Sequence, residues 1–191
     1  MVFLAPIVEG HGEIEAVPTL LRRIAKECNG TVQINNPIRV KSGSFLNNND
    51  YFSRMVSLAA AKAAQNTGFV LILLDCDDEC PAVLGPRILE RARNVRGDVG
   101  IIVVLLYREY ETIFLTAAAS LRGHFGLPPN LQPPADPTSI RNAKGWLGNY
   151  MDVAYDPILH QRELSRLFDM TQAKQNHSFN RFYNIIEHLV S

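Results

Sequence analysis

The sequence predicts an α/β protein: a central parallel sheet of about four strands with helices on both faces. Two observations predict it. Apolar runs suited to strands buried on both faces alternate four times with helical patterns over the first two thirds of the chain. Charged and turn residues stand at the carboxyl end of each run, where open parallel sheets place their ligand sites. Composition agrees. Of 191 residues, 47% are hydrophobic and 20% charged, a globular balance rather than a disordered one.

Residues 2–8 are an unbroken apolar run ending at Glu9-Gly10, the first strand. Ile14, Val17, Leu20, Leu21 and Ile24 then recur at intervals of three and four, a helix that starts late or kinks at Pro18. Residues 31–40 read as a poorer second strand, interrupted by Asn35-Asn36-Pro37, and Lys41 to Ser44 follow as a loop. Asp50 is a candidate cap for a helix to about Gln65. Residues 69–74 form the best strand and end at Asp75; residues 85–95 look helical. Residues 100–107 are the fourth strand, and Glu109 opens a helix to about Leu121. The expected strand order is two, one, three, four, a Rossmann-like three-layer arrangement.

After Gly123 the texture changes. The expected organisation is an α/β core over 1–124, a proline-rich connector over 125–139, and a helical extension over 140–191 packed on the core. In the extension, Asp156-Pro157 fits an N-cap followed by proline at the first helical position, and Ser178 is a candidate cap for the last helix. Lys plus Arg and Asp plus Glu each total 19, which argues against a protein coated in basic charge while leaving room for a local basic groove. No apolar stretch approaches the roughly 20 residues of a membrane span. Three cysteines without framework spacing suit reduced thiols, so the expected location is cytoplasmic, with no membrane partner.

Carboxylates gather on one rim. Strand one ends at Glu9-Gly10-His11-Gly12-Glu13, strand three at Asp75-Cys76-Asp77-Asp78-Glu79, and strand four at Arg108-Glu109-Tyr110-Glu111. Positions two apart on an extended segment point the same way, so Asp75 and Asp77 are placed to bind one hard cation, with Glu9 as a third carboxylate from a neighbouring strand. Unpaired carboxylates so close would repel, and a metal resolves that conflict. Helix capping accounts for Glu13, Glu79 and Glu111 equally well, but capping needs only one acid per helix.

These residues resemble a known pattern. An apolar strand, Glu-Gly and a helix, followed later by an apolar strand and Asp-x-Asp, is the order seen in the Toprim fold of primases, topoisomerases, RecR recombination proteins and OLD-type nucleases. The chain more specifically looks like the bacterial domain-of-unknown-function 4276 family. The resemblance is carried by Val8 to Glu13 with Pro18 and residues 20–23, by residues 74–81, and by residues 108–111 with Phe114-Leu115 and residues 120–123. Residues 142–147, Tyr155, Gln161 and Ser178-Phe179 add to it. It implies a Mg2+ (or Mn2+) site at Glu9, Asp75 and Asp77, with Glu9 as ligand or as general acid or base, and Glu13 as a further ligand.

Other residues complete the candidate site. Lys41, on the same rim, is placed to neutralise a phosphate in the transition state, or is a solvated loop lysine. Arg108 has the same chemistry available, though an ion pair with Glu109 or Glu111 explains it without any. His11, Asp78, Glu109, Glu111 and Lys144 are further candidates on or near the rim. Arg141, Lys144 and Trp146 suit contact with a nucleic-acid backbone and base, or a core anchor. Cys76 and Cys80 lack the partners that zinc requires, and Gly10-x-Gly12 lacks the third glycine of a dinucleotide fingerprint. Receiver domains carry their acid pair, and dehalogenase-type phosphatases their Asp-x-Asp, after strand one; here Asp-x-Asp follows strand three. The expected function is Mg2+-dependent phosphoryl transfer on nucleic acid, in the first place phosphodiester hydrolysis by a nuclease. The alternative is a catalytically silent module that binds metal or nucleic acid, or assembles with a protein partner or a second copy.

Overall fold

The computed structural model describes residues 1–191 and is an α/β layered structure. Its sheet contains β1 (Val2–Val8), β2 (Val32–Ile34), β3 (Ile38–Arg39), β4 (Phe69–Asp75) and β5 (Gly100–Leu106), all parallel. The order is β2-β1-β4-β5, with β3 also beside β1. That is the expected order, except that the second strand is split in two. The split has a local cause. Leu4 and Val8 turn their carbonyls toward β2 and β3, accepting from Asn35 and Val40. By alternation Pro6 faces the same side and has no N–H to offer, and it lies opposite the break at Asn35 to Pro37.

Helices α1 (Glu13–Glu27), α2 (Ser42–Asn47), α3 (Asn49–Ala64), α4 (Pro81–Val95) and α5 (Thr112–Thr116) follow the strands. Helix α1 carries Pro18 inside it, and Ala16, Val17, Leu20, Leu21 and Ile24 form its buried face. The cap of α3 is Asn48, which accepts from the Tyr51 N–H, rather than Asp50. Helix α4 begins at Pro81, earlier than the pattern suggested, because proline is well suited to a first turn. The helix expected to reach Leu121 stops at Thr116 and gives way to a 3-10 turn over Ala118–Leu121.

The rest of the chain supplies α6 (Ala143–Gly148), a π-helical turn (Pro157–Gln161), α7 (Arg162–Leu167), α8 (Met170–Ala173) and α9 (His177–Val190). Asn176, not Ser178, caps α9. Strand side chains alternate between two cores. Ala5, Ile7, Val70, Ile72 and Leu74 face α2, α3 and α4 in a cluster of 19 buried residues. Leu4, Val8, Leu71 and Leu73 face α1 and the C-terminal helices in a larger cluster of 31, which includes Leu164, Phe168, Phe179, Phe182 and Ile186. The C-terminal helices thus share a core with the sheet. Arg23 of α1 ties them down, donating to the carbonyls of Ser165 and Phe168 with its guanidinium over the Phe168 ring. No helix is long and apolar enough to cross a membrane.

Candidate functional site

Three strand ends and the C-terminal segment enclose a pocket of about 380 Å³. Its walls carry Glu9, His11 and Glu13 after β1, Asp75 at the end of β4, Glu111 after β5, and Lys144 on α6. Asp156, Pro157, Ile158 and Gln161 roof it. The close approach of roof to rim depends on Gly12. A Cβ there would collide with the Gln161 side-chain oxygen and the Pro157 carbonyl. Asp156 caps the π-helical turn by accepting from the Ile158 N–H at 2.8 Å, and the turn delivers Gln161 to the pocket wall beside Glu111.

Each acid is held by its own local structure. Glu9 lies just past β1; its N–H donates to Glu13 Oε2 at 3.1 Å, and the Ser42 hydroxyl donates to its Oε1. Asp75 accepts from the Tyr110 N–H at 2.8 Å, which fastens the end of β4 to the loop after β5. Glu111 Oε1 accepts from the Tyr155 hydroxyl at 2.9 Å and the Gln161 amide at 3.2 Å. Lys144 Nζ donates to Glu109 Oε2 at 3.0 Å and stands 3.5 Å from Glu111 Oε2. Two buried oxygens, Glu111 Oε2 and Gln161 Oε1, have no hydrogen-bond partner.

The electrostatics follow from crowding. Glu13 is 4% exposed, and burial, reinforced by the negative charges of Glu111 and Glu9, raises its pKa from 4.5 to about 7. Asp75 keeps a partly exposed edge, yet the protein packed around it, then Glu13 and Glu111, push it well above the usual carboxylate range. Burial raises Glu111 as well, against the pull of Lys144 and the Tyr155 hydrogen bond. Lys144 moves up: its acids outweigh its own partial burial. Burial and then the Glu111 charge raise the Tyr155 phenol, which therefore stays protonated and donates.

The pocket brings together Glu9, His11, Glu13, Asp75, Glu111 and Lys144, with Glu109 on its far side through Lys144. Asp77 and Asp78 are not among its walls. Both are exposed, because the chain bends away after Cys76 and the alternation that would align Asp77 with Asp75 ends there. Cys76 is buried at 2% exposure. Arg108 also points elsewhere. It donates to Asp78 Oδ1 at 2.6 Å, to the Asp77 carbonyl at 3.2 Å and to the Thr138 carbonyl at 3.0 Å, so the ion pair expected with Glu109 or Glu111 belongs to Lys144 instead. Arg141 joins it on Asp78 at 2.9 Å. Lys41 lies beside a separate cavity. As the side chains stand, no three of the His, Cys, Asp and Glu residues are grouped to hold a metal ion.

Sequence reasoning gave Ser42, Tyr110, Tyr155 and Gln161 no part in the site; Asp156 was expected only as the cap before Pro157, which it is. Tyr155 and Gln161 carried the family resemblance, and that was the available signal. The fold and pocket define an α/β protein with an acidic site at the carboxyl rim of a parallel sheet. The model of the family Domain of unknown function (DUF4276) matches residues 8–187, and the chain belongs to that family. No curated protein and no solved structure matches it significantly.

Proposed function

We propose that this is a Toprim-like, Mg2+- or Mn2+-dependent enzyme of phosphoryl transfer on nucleic acid, a nuclease that hydrolyses phosphodiesters at the acidic pocket. One observation carries the reading. Four carboxylates from three strand ends share a pocket whose only cationic wall residue is Lys144. The carboxylates offer the oxygen donors a hard cation takes, and two buried oxygens, Gln161 Oε1 and the Glu111 Oε2 that faces Lys144, accept no hydrogen bond. Glu9 and Asp75 would hold the ion, with Glu13 as a further ligand. A bound divalent ion would polarise a phosphoryl oxygen and lower the pKa of an attacking water. Without an ion Glu13 has a pKa of about 7, and a bound divalent cation would draw off that proton and leave the carboxylate free to serve as a ligand. Lys144 restrains Glu109 and Glu111 and limits repulsion in the pocket.

A second reading, a catalytically silent metal- or nucleic-acid-binding module, is favoured by Lys144, which already supplies a cation inside the acidic wall. One experiment separates the two. Wild type and Asp75→Asn, purified in parallel, are incubated with single- and double-stranded DNA and RNA in Mg2+, Mn2+ or chelator at low ionic strength. Metal-dependent cutting by wild type alone is expected, with a loss of about 100-fold or more in the variant. Equal cutting by both, or none with any metal, would sink the nuclease reading.

A further inference from the structure

A second cavity, of about 530 Å³, lies beside the acidic pocket. Arg39 at the end of β3, Lys41 just before α2 and Arg54 on α3 converge on it, against a single acid, Asp50. None of the three cations takes part in an ion pair or a side-chain hydrogen bond, although the protein forms such pairs elsewhere. Tyr51 is the one apolar wall residue, with the Arg54 guanidinium 5.5 Å from its ring centroid.

The two cavities are covalently adjacent. Arg39 pairs in register with Val8, the residue before Glu9. Lys41 precedes Ser42, whose hydroxyl is bonded to Glu9. An anionic chain lying along the rim would therefore meet Arg39 and Lys41 close to Glu9, and Arg54 across the same cavity. The neutral net charge of the whole chain makes this local concentration a focusing device rather than a general coating. The walls also select the kind of ligand. A site for a small cofactor is mostly apolar and enclosing, whereas this cavity offers charge and one ring face, which suits a flexible phosphodiester strand.

We propose that the Arg39, Lys41 and Arg54 cavity binds backbone phosphates of a nucleic-acid strand adjacent to the phosphate presented to the acidic pocket, with Tyr51 as a stacking face for a base. The proposal rests on the nuclease reading for its place in a reaction, but its test does not depend on cutting. Binding of a fluorescent single-stranded oligonucleotide of about 20 nucleotides is measured by anisotropy in chelator, across salt concentrations from about 50 mM. In Arg39→Gln/Lys41→Gln/Arg54→Gln, affinity should fall at least about tenfold. The slope of log affinity against log salt should shrink by about 2, the counterion release of three lost contacts. Lys41→Glu alone should weaken binding in the same direction, and Arg22→Gln/Lys26→Gln on the exposed side of α1 should not. Wild-type affinity in the triple variant, an equal loss in the α1 control, or no binding by wild type would overturn the proposal. Cation-dependent binding without cutting in any metal would uphold the cavity and reject the nuclease. Metal-dependent cutting with binding unchanged in the triple variant would do the reverse.

Discussion

The acidic pocket and the basic cavity share a rim and are built in opposite ways. Glu111 is fully buried and Glu13 is 4% exposed, held by backbone donors, a phenol, an amide and a lysine. Lys41, which precedes the Ser42 bonded to Glu9, and Arg54, across the same cavity, are exposed and form no ion pair. Desolvated charge is expensive and must be matched by fixed partners, while exposed charge needs none. The difference implies a division of labour. The pocket is preorganised and sensitive to single changes; the cavity acts through summed charge and is tolerant of them.

The largest effect should come from removing the cation that the pocket contains. Lys144 is 43% exposed as a side chain, while its partners Glu109 and Glu111 are 12% and 1% exposed. Lys144→Met leaves two poorly hydrated carboxylates uncompensated. The expected loss is about 3 kcal/mol, at the low end for breaking a buried pair because solvent screens the lysine. Urea unfolding at pH 8 without metal would measure it. An unchanged midpoint would mean that the pocket tolerates its acids without Lys144, and the contrast between the two cavities would weaken.

A smaller effect of opposite sign is expected at Glu13. Its carboxyl titrates near 4.5 in the unfolded chain and about 7 in the fold. Between those values the folded chain holds a proton that the unfolded chain has released. Stability should therefore fall as pH rises from about 4.5 to about 7 and level off above, by an amount on the order of 3 kcal/mol. Glu13→Gln removes that ionisation but accepts less strongly from the Glu9 N–H. It should gain about 2 kcal/mol at pH 8 in chelator and close to nothing at pH 4.5. Melting curves across pH would show this as a flattened profile; a parallel loss at every pH would mark Glu13 as a structural acceptor.

Much of this arrangement was legible in the sequence. Apolar runs gave the strands, their order and the rim, since burial on both faces leaves a period that needs no partner to read. Glu9, Glu13 and Asp75 stood out because they end such runs. Asp77 was misplaced because alternation holds only while the chain stays extended, and the bend after Cys76 is set by tertiary contacts, Arg108 on the Asp77 carbonyl among them. Lys144 takes the partners expected of Arg108 for the same reason: adjacency in sequence favoured Arg108 for Glu109 and Glu111, whereas α6 brings Lys144 in from 33 residues beyond Glu111. The roof was hidden most deeply. Tyr155 and Gln161 reach Glu111 only because Gly12 lets the π-helical turn sit against the rim, a contact without local periodicity.

The smallest expected effect sharpens the comparison most. Arg39→Gln/Lys41→Gln/Arg54→Gln removes three charges from the same rim on which one lysine matters for stability. Lys41 and Arg54 are exposed, Arg39 is half-buried, and no carboxylate depends on any of them for an ion pair. Exposed substitutions away from caps and buried networks generally change stability by no more than about 0.5 kcal/mol. Lys41 stands at the N-cap position of α2, but its side chain makes no capping bond; the cap of α3 is Asn48, and the Ser42 bond to Glu9 is untouched by the change. Relief of mutual repulsion among three like charges offsets the lost packing of their stems. Unfolding midpoints of the triple variant should therefore coincide with wild type at low and high salt. A loss of more than about 1 kcal/mol would mean that these cations stabilise the fold through the neighbouring carboxylates. The two cavities would then be one electrostatic unit, and weakened nucleic-acid binding in the variant would no longer report the cavity alone.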